Sequence, residues 1–374
     1  MLEHATQASV CLSRRRSESV PDLPHRSPLR LRGCGRASLD ALGGGLVTLT
    51  VTDLFAGGGG SSEGLRQAGF DIRISTNHWP VSVATHQLNH PETEHRTADL
   101  TNTNFGSYPR TDILWASPSC VKHSSASKSK QGSAEDELKR DTPDKVDRAT
   151  AFAVLAATEI HAYEAVIMEN VPQFLRWVLF PVLLQGMRLL GLKEQIVVLD
   201  AADVGPVPVA QERKRVFIVF TRGGDVDLSL PPVSRTPASA ILDPGEGLGE
   251  LVSRRLYVSP QIDTIRDLNI PHLVTYRKNA KARRADRSQL QTITAGGRHH
   301  AVATVTGEGV RHRWLTTREL ARAQGFPDGY GFIGSDADVR RQIGNAVPVN
   351  AARFLGERVA QALGESAPDL AVAA

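Results

Sequence analysis

The chain has 374 residues, 41% hydrophobic and 22% charged, with 32 glycines and 21 prolines, a globular composition sized for two domains or one large one with insertions. No stretch approaches about 18 consecutive apolar residues, so a membrane-spanning helix is excluded, and the first residues lack the basic-then-apolar layout of a secretory signal. Three cysteines (Cys11, Cys34, Cys120) without a CxxC or a Cys/His cluster argue against a disulfide framework and a structural metal, and a cytoplasmic protein without metal is expected. The net charge of +4 is uneven: residues 1–36 hold seven arginines and three acids, so the remaining 44 − 7 = 37 basic residues meet 40 − 3 = 37 acids.

Residues 1–45 are rich in Arg, Ser, Pro and Gly without periodicity and read as a disordered basic tail. Order is expected from 46–51 (LVTLTV), an apolar strand leading into Asp53-Leu54-Phe55, a glycine turn over 56–60 and a short helix over 61–68. A strand over 71–76, a helix over 81–88 and a strand over 112–116 follow. The scheme repeats in a helix over 149–163, a strand over 165–168, a helix over 174–190 and strands over 195–199 and 215–221. Strands alternating with helices predict an α/β fold, a Rossmann-like doubly wound and mostly parallel sheet. Two segments break the rhythm. Residues 121–148 carry seven Lys/Arg and six Asp/Glu directly after Cys120 and read as a surface loop. Residues 222–313 lose the alternation and read as a smaller inserted domain, with seven Lys/Arg against one acid between Tyr276 and Arg298. Residues 46–221 would then form the main domain, and 314–364 would return to it through helices over 315–324 and 347–363, leaving 365–374 as a flexible tail.

Four constellations carry chemistry. Asp53 to Gly60 (DLFAGGGG) places a glycine turn between a first strand and its helix, where a ligand can approach the backbone; a tight turn with no ligand has the same signature. No Lys-Ser/Thr follows, which excludes a P-loop and suits a nucleoside ligand without a triphosphate. Cys120, after Ser117-Pro118-Ser119, falls at the carboxyl end of a strand, where a thiolate stabilised by cations or dipoles acts as a nucleophile; a lone cysteine is otherwise a small buried hydrophobe. Glu169, in Glu169-Asn170-Val171, ends the next strand and can serve as an acid if its pKa is raised, or can simply be a surface residue. In Gln211-Glu212-Arg213-Lys214-Arg215, alternation puts residues 211, 213 and 215 on one side, so two guanidiniums could share a face.

In this order, these blocks resemble the cytosine-C5 DNA methyltransferase family. The resemblance continues in 317–327 (TRELARAQGFP) and 342–350 (QIGNAVPVN), and spans residues 47–363. It implies an S-adenosylmethionine site built from Asp53, Phe55, Ala56, Gly57 and Gly59, with Phe55 against the adenine, Trp79 helping to sandwich it and Asp99 accepting from its amino group. His78, Leu100, Ser117, Asn345 and Val347 would complete that pocket. Cys120 would attack C6 of a cytosine flipped out of duplex DNA, which makes C5 nucleophilic enough to take a methyl group. Glu169 would hold the N3 edge and supply a proton, with Arg213 and Arg215 beside the base, Arg215 nearer the C2 carbonyl.

The same resemblance makes 121–148 a loop that closes over the flipped base, with Ser124 on the DNA backbone, and 222–313 a target-recognition domain. Within it Arg277, Lys278, Arg283, Arg284 and Arg298 would meet phosphates, and the tip 296–300 (GGRHH) would reach base edges. The chain departs from the family pattern at three positions: Ser119 where Pro is usual, Val121 where Gln is usual, and His78 where a Glu commonly takes the ribose hydroxyls. Histidine can bond a hydroxyl but lacks the negative charge. The reading expects a monomer acting on double-stranded DNA, with room for a restriction endonuclease encoded alongside. Its alternatives are a tRNA cytosine-5 methyltransferase of the same family and a catalytically silent DNA-binding relative.

Overall fold

The computed structural model describes residues 48–119, 150–205, 208–277 and 279–364. The expected basic tail, the loop 121–148 with Ser124, Cys120, Lys278 and residues 365–374 lie outside the described residues.

The first strand, β1 (Thr50–Leu54), sits a few residues later than the hydrophobic run alone predicts, because the pairing continues through Asp53 to Leu54. Six more strands complete its sheet: β2 (Asp71–Asn77), β3 (Glu94–Thr97), β4 (Ile113–Ala116), β5 (Ala165–Asn170), β6 (Lys193–Asp200) and β8 (Lys214–Thr221), in the order β3-β2-β1-β4-β5-β8-β6. β1 pairs in parallel with β2 and β4, β2 with β3, and β4 with β5. β8 runs antiparallel between β5 and β6, so the sheet is mostly parallel, as expected. A two-residue strand, β7 (Gln211–Glu212), precedes β8.

Strand geometry sends alternate side chains to opposite faces, and both faces are apolar here because helices cover both. Leu114, Val166 and Met168 face one layer, built on α3 (Ala151–His161) and α4 (Phe180–Leu189). Ile113, Trp115 and Ile167 face the other, where Leu65 of α1 (Gly60–Gln67) and Leu355 and Val359 of α7 (Val349–Ala362) pack. Between these helices in the chain come α2 (Pro80–Asn89), α5 (Thr317–Ala323) and α6 (Asp336–Asn345).

The structure corrects several boundaries. The helix expected over 174–190 is two pieces: a 3-10 turn at Pro172–Arg176 and α4, which starts afresh with Pro181 in its first turn, where a missing N–H costs nothing. Strand β3 and helix α6 are additions to the expected elements. α5 starts at the Thr316/Glu319 capping box rather than at Leu315, and α6 starts at a Ser335/Asp338 box.

Residues 250–314 form a second sheet of five strands: β9 (Glu250–Leu251), β10 (His272–Thr275), β11 (Arg283–Arg284), β13 (His300–Thr306) and β14 (Gly309–Trp314), antiparallel and ordered β11-β10-β13-β14-β9, its last strand running one residue past the expected boundary at 313. The short β12 (Leu290–Gln291) leaves this sheet and pairs with β7, Leu290 against Gln211. Region 222–313 is thereby stitched to the short strand that leads into the arginine pair.

Candidate active site

Parallel register brings three loops to one edge of the main sheet. Leu54 pairs with Ala116 and Ala116 with Met168, so the segments that follow, 55–60, 117–119 and 169–171, emerge side by side. The antiparallel β8 starts at this same edge, Asn170 opposite Val216, and so delivers Arg215 next to Glu169. Open α/β sheets bind ligands at this edge.

Glu169 is buried, with Oε1 3.0 Å from Nε of Arg215. Burial pushes its carboxyl above the usual range; the charges of Arg215 and then Arg213, and a hydrogen bond with Ser117, pull the other way. Trp115 donates its indole N–H to Ser117 Oγ at 3.1 Å, so the serine that hydrogen-bonds the glutamate is itself held from the neighbouring strand. Asn170 Nδ2 donates to the Pro118 carbonyl at 3.2 Å, and the Ser119 N–H donates to Thr150 Oγ1 at 3.2 Å. Cys120 itself lies outside the described residues, but the turn that delivers it is fastened to the glutamate's own strand. Nothing in the sequence around Asn170 signals this bond, which exists because parallel register sets the end of β5 beside the turn.

Arg213 and Arg215 divide their work. Arg213 is buried, its Nη1 donating to the Ile293 carbonyl and its Nη2 to those of Gly344 and Ala346, each at 2.9 Å. Its terminal nitrogens fasten the inserted region and the C-terminal segment together, and its charge reaches Glu169 through space. Gln211 adds to this joint, accepting from the Ile293 N–H at 2.7 Å and donating to the Ala323 carbonyl at 3.2 Å.

The glycine turn has an open side and a closed one. Phe55, half-buried, holds a left-handed φ of 62°, strain that a ligand site of fixed shape can use. Gly57, at φ 57°, has nothing within 4 Å of where a Cβ would stand, so a ligand can lie against the backbone there. Beneath, a Cβ on Gly59 (φ 91°) would stand 2.2 Å from the Tyr330 hydroxyl, and one on Gly60 would stand 2.3 Å from the Val347 carbonyl oxygen. Val347 thus closes the turn from below, while Asn345 is exposed at the end of α6. Buried Ala56 ties the turn to β2 through its N–H to Thr76.

Asp53 is fully buried, and burial pushes its carboxyl up to about 7 against the hydroxyls of Ser61 and Ser62, which donate to Oδ2 at 2.6 Å. At the far side, Asp99 is exposed and its carboxyl is lowered by hydrogen bonds from Thr101 and by the charge of His78, which stands near it at the surface. The side chain of Leu100 is buried in the core. Trp79 is half-exposed, one ring face covered by the Arg341 guanidinium at 4.5 Å. Open backbone at Gly57, a flat ring at Trp79 and a carboxylate at Asp99 fit a nucleoside ligand. Among the described residues, no group of three or more His, Cys, Asp or Glu could hold a metal, and no helix is long and apolar enough to cross a membrane.

The arginines expected on DNA are placed less uniformly. Arg277 is exposed, but Arg283 pairs with Glu212 at 3.2 Å, Arg284 with Asp286 and Asp267, and Arg298 with Asp336 at 2.8 Å. The excess counted along 276–298 is therefore shared with acids that chain order places elsewhere, and among the described residues Arg277, Lys281 and Arg287 stand outside these pairs.

A doubly wound sheet with a glycine turn, a raised carboxyl and an arginine at one edge defines a Rossmann-like enzyme. Residues 49–361 match the model of the C-5 cytosine-specific DNA methylase family, and the chain belongs to that family, whose enzymes are DNA (cytosine-5-)-methyltransferases. It is 29% identical over 327 residues to Type II methyltransferase M.HgiDI of Herpetosiphon aurantiacus, covering 82% of this chain and 93% of that protein. It is likewise 29% identical over 336 residues to Type II methyltransferase M.NlaX of Neisseria lactamica, covering 84% and 96%. The fold is similar to that of a putative DNA modification methyltransferase encoded within a prophage, from E. coli, with a TM-score of 0.63 at 18% identity over 85% of this chain and all of that one (100%). It is also similar to the Entamoeba histolytica methyltransferase EhMeth, with a TM-score of 0.63 at 14% identity over 84% and 99%.

Proposed function

We propose that this chain methylates C5 of a cytosine flipped out of a specific duplex DNA sequence, through a covalent bond between Cys120 and C6. The observation that carries the reading is the edge itself: a buried glutamate of raised pKa, 3.0 Å from Arg215, on the strand whose Asn170 holds the turn into Cys120.

The cytosine ring is electron-poor at C6 and inert at C5. Attack of the Cys120 thiolate on C6 adds electron density to the ring, and the proton that Glu169 donates to N3 keeps that density from becoming a full charge. C5 then carries enamine character and takes the methyl group. Loss of the C5 proton and β-elimination of the thiolate restore the aromatic ring. A carboxyl lifted by burial is matched to this task, since it holds its proton closer to neutral pH than a surface glutamate. Arg215 orients that carboxyl and reaches toward the C2 oxygen.

S-adenosylmethionine, when bound, supplies an electrophilic methyl group on a sulfonium. The turn 55–60, Trp79, Asp99 and Val347 would hold it, with Phe55 and Trp79 against the adenine, Asp99 at its amino group and His78 in place of a charged ribose ligand. The region 222–313 would act as the recognition domain, with Arg277, Lys278 and the tip 296–300 at the DNA. The pairs of Arg283, Arg284 and Arg298 would exchange acid for phosphate there, because solvent screens ion pairs at the surface and leaves them weak.

The test is methyl incorporation from labelled S-adenosylmethionine into duplex DNA and into tRNA in parallel, with bisulfite sequencing of DNA from expressing cells to locate the base. Label at C5 of cytosine in one short duplex motif supports the reading. Transfer only to tRNA contradicts it.

A further inference from the structure

Beneath the glycine turn lies a buried cluster that the mechanism above does not use. Ser62, in the first turn of α1, donates its hydroxyl to Asp53 Oδ2 at 2.6 Å. Nε2 of His86, fully buried on α2, lies 2.8 Å from the same Ser62 Oγ. Nδ1 of His86 lies 2.8 Å from Nε2 of His95, a half-buried residue on the outermost strand β3. With Asp53 ionised, donors and acceptors fix the direction of this chain. The Ser62 proton is committed to the carboxylate, so Ser62 accepts from the Nε2–H of His86. His86 is then neutral with a free lone pair at Nδ1, and His95 must donate its Nε2–H. Burial and the neighbouring His90 and His95 hold His86 neutral, as this direction requires.

We propose that His95, His86 and Ser62 form a hydrogen-bonded relay that sets the charge of Asp53 and thereby positions the glycine turn for a cationic ligand. It rests on the reading that this turn holds S-adenosylmethionine. The relay has two states of equal net charge. In one, Asp53 is a carboxylate and His95 an imidazolium. In the other, three protons have each moved one bond toward Asp53: from His95 Nε2 to His86 Nδ1, from His86 Nε2 to Ser62 Oγ, and from Ser62 Oγ to Asp53 Oδ2. The outcome is a neutral carboxyl and a neutral His95. Nothing leaves the chain and nothing enters it. Among the described residues Asp53 Oδ1 has no hydrogen-bond partner, so the carboxylate's charge is compensated mainly at Oδ2, where the relay ends.

Other titratable groups face the cluster. From α1 come Glu63, 4.0 Å from His90 Nε2, and Arg66; burial lowers the His95 imidazole below its usual value, while the Thr93 backbone and the charge of Glu92 pull it back up; and the Tyr330 hydroxyl stands 3.4 Å from His90 while donating to the Gly58 carbonyl at 2.8 Å. None of these lies in the path from His95 to Asp53. These three are positioning residues, because they act on the cofactor only through Asp53 and the turn.

S-adenosylmethionine carries positive charge at its sulfonium and ammonium, so its affinity should rise with pH as Asp53 ionises. His95→Gln keeps a donor for His86 and cannot become a cation. Calorimetric titration of the full chain with S-adenosylmethionine from pH 6 to 9 is expected to show that rise displaced to higher pH in H95Q, at least about threefold weaker binding at pH 7, and equal affinity at the alkaline end. Ser62→Ala cuts the relay, so adding H95Q to S62A should change nothing further. Superimposed profiles for wild type and H95Q, or equal effects of H95Q with and without Ser62, would overturn the relay. Absence of binding by the wild type would instead overturn the cofactor reading. In that case the pH dependence of thermal melting without ligand, which should still differ between wild type and H95Q but not between S62A and the double variant, tests the relay alone.

Discussion

Replacing Arg215 by Met removes the cation nearest to Glu169 while keeping most of the side-chain bulk at the edge of β8. Two unit charges about 4 Å apart interact by about 4 kcal/mol at an effective dielectric of about 20, which sets the upper bound. The charge of Arg213 remains, and water reaches part of Arg215, whose side chain is 14% exposed. A loss on the order of 1.4 kcal/mol or more is left, which moves the protonation equilibrium of Glu169 at least about tenfold toward the neutral acid. The assay is carboxyl-carbon NMR titration of glutamate-labelled protein, with Glu169→Gln identifying the signal. Because it needs no turnover, any second role of Arg215 at the substrate does not confuse it. In wild type the Glu169 signal should titrate above the ordinary glutamates, and in R215M higher still. The basic limb of the methylation pH profile should move in the same direction. A Glu169 signal that stays in place, or moves down, refutes the assignment of Arg215 as the residue that controls this proton.

Three further outcomes follow from the same geometry. Gly59→Ala puts a methyl group against the Tyr330 hydroxyl at a left-handed φ, costing about 1–3 kcal/mol from backbone strain alone in denaturant unfolding, whereas Gly57→Ala meets open space, unfolds only about 1–2 kcal/mol more easily and loses chiefly S-adenosylmethionine affinity. Asp53 has a folded-state pKa raised by burial from 3.8 to about 7, so its contribution to stability is fully present below the lower value and is lost as pH rises through the upper one. Comparing unfolding of wild type with Asp53→Asn, the advantage of the wild type should shrink by as much as about 4 kcal/mol from pH 4 to 7 and then level off; an advantage that grows over this range contradicts the assignment. Arg277→Ala should flatten the slope of log affinity for DNA against log salt by about 0.9, while alanine at Arg284, held between Asp267 and Asp286, should change it less.

Sequence patterning carried the layered fold because both faces of the central strands are apolar, and runs such as Ile113–Ala116 and Ala165–Met168 have no other use. It did not carry β3, whose Glu-His-Arg-Thr is polar throughout and forms only as the parallel partner of β2. Nor did it carry α6, a polar helix marked by its capping box rather than by an apolar stripe. At the site, the order of Asp53, Glu169 and Arg215 was legible because each ends or begins a strand at one edge. For Arg213, alternation predicts direction and not partners; the three carbonyls that engage it come from residues 80 to 133 positions away. The same limit hid the acids that pair with Arg283 and Arg298, and the histidines that meet beneath Gly59 from α2 and β3.

Trapping on duplex DNA carrying 5-fluorocytosine tests the central claim most directly, since fluorine at C5 blocks the final elimination and freezes the thiol on C6. Incubated with S-adenosylmethionine and the recognised duplex, the wild-type chain should yield one denaturation-resistant protein–DNA adduct. Cys120→Ala should yield none, transfer no methyl group, and still bind the duplex. An adduct that persists in C120A, or methylation by that variant at the wild-type rate, would contradict the account.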